Sequence, residues 1–138
     1  MKDFDLDSFL PYQLIVVATR LSREFSTLYH QKFAISVPEW RVVAHLAKSG
    51  TVSVREIHER VDMDKPKVSR AASRLEENGY VRKTQNPKDG RLVALTLTQK
   101  GQDMMAELIP VAENFNAKLL DSLGPDADTF KAALEKLG

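Results

Sequence analysis

Residues 53–79 read SVREIHERVDMDKPKVSRAASRLEENG, from Ser53 to Gly79, and the fold turns on this stretch. Ser53 and Glu56 have the spacing of a helix-starting cap, which opens a short helix running to about Val61. Asp64 is the next N-cap, and Pro66 falls in the first turn, where proline is tolerated. The helix it opens carries Val68, Ala71, Ala72 and Leu75 on one face and stops at Gly79. Only about three residues, roughly Asp62 to Asp64, separate the two helices, as a helix-turn-helix requires.

Working outward toward the N-terminus, Ser36-Val37-Pro38-Glu39 forms a capping box. The helix it begins passes through Trp40, Val43, Ala44 and Leu46 and stops at Gly50. Further back, Phe9 to Tyr29 is predicted as one long helix, with Leu10, Leu14, Val17, Ala18, Leu21, Phe25 and Leu28 at helical spacing. Ile15 and Val16 widen this apolar stripe beyond what one buried side needs, which points to a dimer interface.

Outward in the other direction the period changes. Tyr80–Thr84 and Leu92–Leu97 are predicted strands, the second rich in β-formers. The polar loop Gln85–Arg91 between them holds Asn-Pro and Asp-Gly turn signals, giving a hairpin with a basic tip. Thr98 caps a second long helix, Gln99 to Leu123, in which Pro110 is expected to produce a kink. Gly124-Pro125 breaks it, and a final helix carries Phe130, Ala133, Leu134 and Leu137 as a single stripe. The expected fold is mostly α with a small β-hairpin wing: a winged helix-turn-helix flanked by long dimerisation helices. One domain, 1–138, would divide into a DNA-binding lobe at 36–98 and dimerisation helices at 1–35 and 99–138.

Composition bounds the chemistry. The 138 residues are 43% hydrophobic and 28% charged, enough for a packed core. The absence of cysteine removes disulfides, thiolate nucleophiles, thiolate metal ligands and thiol redox sensing. Met1–Ser8 is acidic and lacks the basic start of a secretory signal, and the apolar run Phe9–Thr19 is too short to span a bilayer. A cytoplasmic protein without membrane partners is expected. Net charge is only +1, but its distribution is uneven: Arg60–Lys100 holds ten Lys/Arg against five Asp/Glu, a net of +5, leaving −4 elsewhere. Such a concentration fits a phosphate-facing surface, although a solvated surface also carries charge runs.

The segment Val37–Gly101 resembles the MarR (multiple antibiotic resistance regulator) family of bacterial transcription factors. The likeness is densest in Asp64–Arg70, in Leu75–Arg82, and in Asp89-Gly90-Arg91 followed by Leu95–Gly101, which resembles the family's D-x-R wing signature leading into its long helix. The flanking helices fit the family's order, so the resemblance covers nearly the whole chain. It implies a homodimeric, sequence-specific DNA-binding regulator, in most cases a repressor, acting on double-stranded DNA at a pseudo-palindromic operator. The other reading is a winged-helix protein-interaction module without operator specificity; the basic wing and helix argue against it.

The expected base-reading residues lie at the start of the second helix of the motif: Lys65, Pro66 and Lys67, with Ser69 and Arg70 just behind, and Arg74 further along the same polar, DNA-facing side. The same face could belong to any solvated helix. Arg91 is the wing residue that the resemblance places in a narrow minor groove, with Asp89 orienting it. Lys88 and Arg82 are phosphate partners of a more general kind, and Ser36, Ser53 and Arg55 are further contacts, the serines equally explained as caps. The resemblance also implies a small aromatic, carboxylate or phenolic effector between the dimer helices and the DNA lobe. Arg41 beside Trp40, at what reads as a buried helix start, would meet it, with Ser22, Ser26 and His30 in reach. Trp40 as core and Arg41 as a bridge between helices are the structural readings of the same residues. His30, His45 and His58 lack zinc-pair spacing, and no nucleophile motif or phosphate loop is present, so no metal, cofactor or enzymatic role is expected.

Overall fold

A computed structural model describes residues 3–85, 88 and 93–138. After a 3-10 turn at Leu6–Ser8 come α1 (Leu10–Phe33), α2 (Val37–Ser49), β1 (Val52–Ser53), α3 (Val54–Arg60) and α4 (Lys65–Glu77). β2 (Val81–Gln85), β3 (Val93–Leu97) and α5 (Gln99–Leu123) follow, and a 3-10 turn at Gly124–Asp126 leads to α6 (Ala127–Leu137). The fold is mostly helical with a small antiparallel sheet, as the sequence led us to expect.

The caps form where the side chains dictate. Ser36 Oγ accepts from the Glu39 N–H at 3.3 Å and donates to the Glu39 carboxylate at 2.8 Å. Ser53 accepts from the Glu56 N–H at 3.1 Å, Asp64 from the Lys67 N–H at 2.7 Å, and Thr98 from the Gly101 N–H at 3.1 Å. Each satisfies a backbone donor that a helix start leaves free.

Three details depart from the sequence expectation. Helix α1 continues past Tyr29 to Phe33 and ends on Ala34, which takes the left-handed conformation at φ 55°. With no glycine or proline there, nothing local announced the stop. The turn of the helix-turn-helix spans Val61 to Asp64, with Asp62 at φ 51°, rather than starting at Asp62. The sheet has three strands in the order β1-β3-β2, because Val52 and Ser53 pair with Leu95 and Ala94. Two residues carry no periodicity to read. Helix α5 contains Pro110 in its interior, as expected, and lacks one backbone donor there.

The core joins the lobe. Val42, Val43 and Leu46 of α2, Ile57 of α3, Val68, Ala72 and Leu75 of α4 and Leu95 of β3 pack with Met104 and Leu108 of α5. Only the first half of α5 is buried in this core. The N-terminal half of α1, the Phe9 that precedes it and all of α6 leave large apolar side chains in the open, among them Leu10, Ile15, Phe130 and Leu137.

Candidate nucleic-acid interface

Helix α4 owes its position to Val68, Ala71, Ala72 and Leu75, which are buried against α2 and α3. Burying that face turns the opposite one outward. Lys65, Pro66, Lys67, Ser69, Arg70 and Arg74 carry that outward face, and all six are exposed. The Asp64 cap and Pro66 fix the first turn, so Lys65 and Lys67 sit at a rigid helix start. Lys67, Arg70 and Arg74 line a shallow depression of about 230 Å³, whose other wall is Ser36 and Pro38 at the start of α2. The structure thus gathers three of the six predicted α4 residues beside a second helix N-terminus.

Strands β2 and β3 pair in register from Val81 with Leu97 to Gln85 with Val93, forming the hairpin. Arg82 and Lys88 are exposed on it. Asp89 and Arg91, the predicted wing pair, lie outside the described residues. Ser36 and Ser53 are engaged as caps, and Arg55 is exposed on α3.

Sequence reasoning passed over Lys83. Its ammonium donates to Ser73 Oγ at 2.7 Å, and its backbone N–H donates to the Glu76 carboxylate at 3.3 Å. A lysine in a short strand among other cations gives no sign that it is spoken for.

The second predicted site divides into two neighbouring cavities. One, of about 250 Å³, is lined by Ser22, Trp40 and Arg41 together with the aromatic rings of Phe25, Tyr29 and Phe115. The other, of about 340 Å³, is lined by Ser22, Ser26 and Arg41 with Thr19 and Arg23. His30 lines neither; its Nδ1 meets the Ile35 carbonyl at 3.3 Å, fastening the end of α1. The expectation of a buried Arg41 is corrected: Arg41 is exposed in the chain, because Val42 and Val43, not Arg41, face the core. Desolvation therefore supplies no reason for Arg41 to seek an anion. Trp40 is half-buried, stacked on Tyr29 at 5.4 Å and edge-on to Phe25 at 5.0 Å, so it is both packing and cavity wall.

Tyr29 is the residue this site adds. Its side chain is 1% exposed, and its hydroxyl is buried with no hydrogen-bond partner among the described residues. Burial pushes its ionisation up to about 12, with Arg41 opposing. On the outer side of α2, the His45 imidazole is held below its usual range by burial and by Arg60 and Lys48, with Glu56 opposing. Arg60 Nη1 lies 3.5 Å from His45 Nε2, which fits a neutral ring accepting there. Among the described residues no cluster of His, Asp or Glu is arranged to hold a metal, and no helix is long and apolar enough to cross a membrane.

Comparison with known proteins places this geometry. The model of the MarR family matches residues 35–92. The HTH-type transcriptional repressor MdtR of Bacillus subtilis is 31% identical over 93 residues, covering 67% of this chain and 60% of the repressor. A solved MarR/EmrR family transcriptional regulator from Acinetobacter is 30% identical, with a TM-score of 0.85 and coverage of 97% of this chain and 95% of that one. A mutant MarR from E. coli, solved with operator DNA, shares the fold at a TM-score of 0.81 and 20% identity, covering 98% of this chain and 99% of that one. The matched stretches span 43% and 60% of the first curated relatives.

Proposed function

This chain belongs to the MarR family, and on that premise we propose that it is a sequence-specific DNA-binding regulator of transcription whose affinity for DNA is lowered by a small effector. The observation that carries the first part is the exposed face of α4. Its cations sit at a capped helix start, beside a two-stranded wing, in a segment with a net charge of +5. An α-helix fits the major groove, where each base pair presents its own pattern of donors and acceptors. Lys65, Pro66, Lys67, Ser69 and Arg70 are the base-edge residues of this reading, and Arg74 and Lys88 meet phosphates. Arg91, oriented by Asp89, enters the adjacent minor groove.

Residues 36–98 form the DNA-reading lobe in this proposal, and 1–35 with 99–138 hold two copies together. The exposed apolar side chains of α1 and α6 support that division. A two-fold dimer then reads a pseudo-palindrome. The effector fits the paired cavities at Ser22 and Arg41, with Trp40 and Ser26 as further walls. A flat ring suits the aromatic cavity and an anionic group suits Arg41. His30, at the end of α1, contributes by holding that helix end.

The test is equilibrium binding to duplex DNA over a salt series. Affinity should fall steeply and linearly in log–log form, with a slope of several units, since each neutralised phosphate contributes about 0.9. A protein that binds no duplex even at low salt would contradict the proposal.

A further inference from the structure

β2 is an edge strand of the sheet, and its side chains alternate between two faces. Val81 is buried on the inner face, and Lys83 follows it on that face, half-buried and pointing at α4. Arg82 and Thr84 point the other way and are exposed. An inward lysine on an edge strand is unusual company for a hydrophobic core, and here both of its polar ends are used. The ammonium donates to Ser73 Oγ at 2.7 Å, and the N–H, free of β3, donates to the Glu76 carboxylate at 3.3 Å. Ser73 and Glu76 are one turn apart on α4, and Ser73 is one turn beyond Ser69 and Arg70. One residue of the wing therefore grips the reading helix at two successive points.

We propose that Lys83 is a positioning residue for DNA recognition, locking the wing to α4 so that helix and hairpin enter neighbouring grooves in one fixed relation. The inference rests on the DNA-binding reading above. A helix and a wing held by separate contacts to the core could each fit its own groove and still miss the other by an ångström or two. The brace removes that freedom before DNA arrives, so its cost is met in folding rather than in binding. It also withdraws the Lys83 charge from the phosphates.

The experiment compares wild type, Lys83→Met, Lys83→Arg and Ser73→Ala on two duplexes. One is a sequence recovered by selection from a random pool; the other is the same duplex trimmed at each end by about half a helical turn, about 5 bp, so that the wings lack a groove. Lys83→Met and Ser73→Ala should each weaken binding to the long duplex by roughly threefold to tenfold, the worth of one ordinary net hydrogen bond. A protein carrying both Lys83→Met and Ser73→Ala should lose no more than either single variant, and binding to the trimmed duplex should be unchanged. Lys83→Arg should restore most of the loss. The salt slope should stay that of wild type, because no phosphate contact is removed. In the free protein, hydrogen exchange of the residue-83 amide should quicken in Lys83→Met, because without the ammonium anchored on Ser73 the strand parts from α4 more often and the bond from this amide to Glu76 opens with it; this readout stands whether or not DNA binds. A salt slope smaller by about one unit would make Lys83 a phosphate ligand and overturn the proposal. Equal losses on both duplexes, or an unchanged exchange rate, would overturn it too. A wild-type protein that binds neither duplex would instead contradict the DNA-binding reading, with the exchange result still deciding the brace.

Discussion

Tyr29 shows how a single residue can be out of balance in a packed structure. Its ring is well used, stacked on Trp40 and edge-on to Phe25 at 5.3 Å. Its hydroxyl is not, being buried without a partner among the described residues. Leaving a polar group so costs about 1–3 kcal/mol, whereas an apolar replacement of the same shape costs little. Tyr29→Phe should therefore be neutral or stabilising by about 1 kcal/mol in denaturant unfolding. The pH dependence carries the same signature. An ordinary phenol titrates near 10, and Tyr29 is pushed up to about 12. The unfolded chain loses this proton first, so stability held below pH 10 should fall as pH rises toward 12, and Tyr29→Phe should flatten that fall. Identical pH dependence in the two proteins would contradict this. On the DNA side, Arg70→Ala should cost on the order of 1–3 kcal/mol on the preferred duplex and relax specificity at one position. Arg91→Ala should weaken binding most where the flanking minor groove is A/T-rich. Competition binding on duplexes differing at one position measures both.

At the scale of elements, the junction of α4, β2 and α5 is held by several specific contacts. Lys100 Nζ donates to the Asn78 carbonyl at 2.7 Å and lies over the Tyr80 ring at 4.7 Å. The Thr98 hydroxyl donates to the Gly79 carbonyl, and Gly79 adopts φ 82°, which glycine alone accepts readily. Gly101 lets α5 approach the Tyr80 backbone so closely that a Cβ there would collide with the Tyr80 carbonyl. Gly101→Ala should accordingly destabilise the fold by about 1–3 kcal/mol, read as a lower unfolding midpoint. Elements with strong local signals were legible in the sequence: the caps at Ser36, Ser53, Asp64 and Thr98, and the apolar face of α4. What was not legible depended on contacts distant in the chain. β1 exists only because Leu95 pairs with Val52, far away in the sequence. Lys83 looks like any other cation until Ser73 and Glu76 are folded beside it. Arg41 was expected to be buried because it neighbours Trp40, yet one helical step of about 100° turns it outward.

For the molecule as a whole, the exposed apolar side chains matter most. Phe9, Leu10, Ile15, Phe130 and Leu137 are more exposed than a stable monomer favours when they occur together. Their placement at the two chain ends predicts a dimer, which light scattering at micromolar concentration should find; a stable monomer would contradict it. Dimerisation would also place α1 and α5, which wall the aromatic cavity, between the interface and the DNA lobe. An effector there would favour one spacing of the two reading helices over another, a differential affinity of typically about 1–3 kcal/mol. Arg41→Ala should then bind DNA as wild type does but release it less readily across a panel of aromatic carboxylates and phenols. A normal response from a folded Arg41→Ala protein would remove Arg41 from the effector site. The central claim, that a symmetric dimer reads duplex DNA with α4 and the wing, is tested most directly by selecting bound fragments from a random-sequence pool and mapping their protection. The expected result is enrichment of an inverted repeat whose half-sites lie about one helical turn apart, about 10 bp, with protection in successive major grooves and the flanking minor grooves. Recovery of no common sequence, or of one without two-fold symmetry, would contradict it.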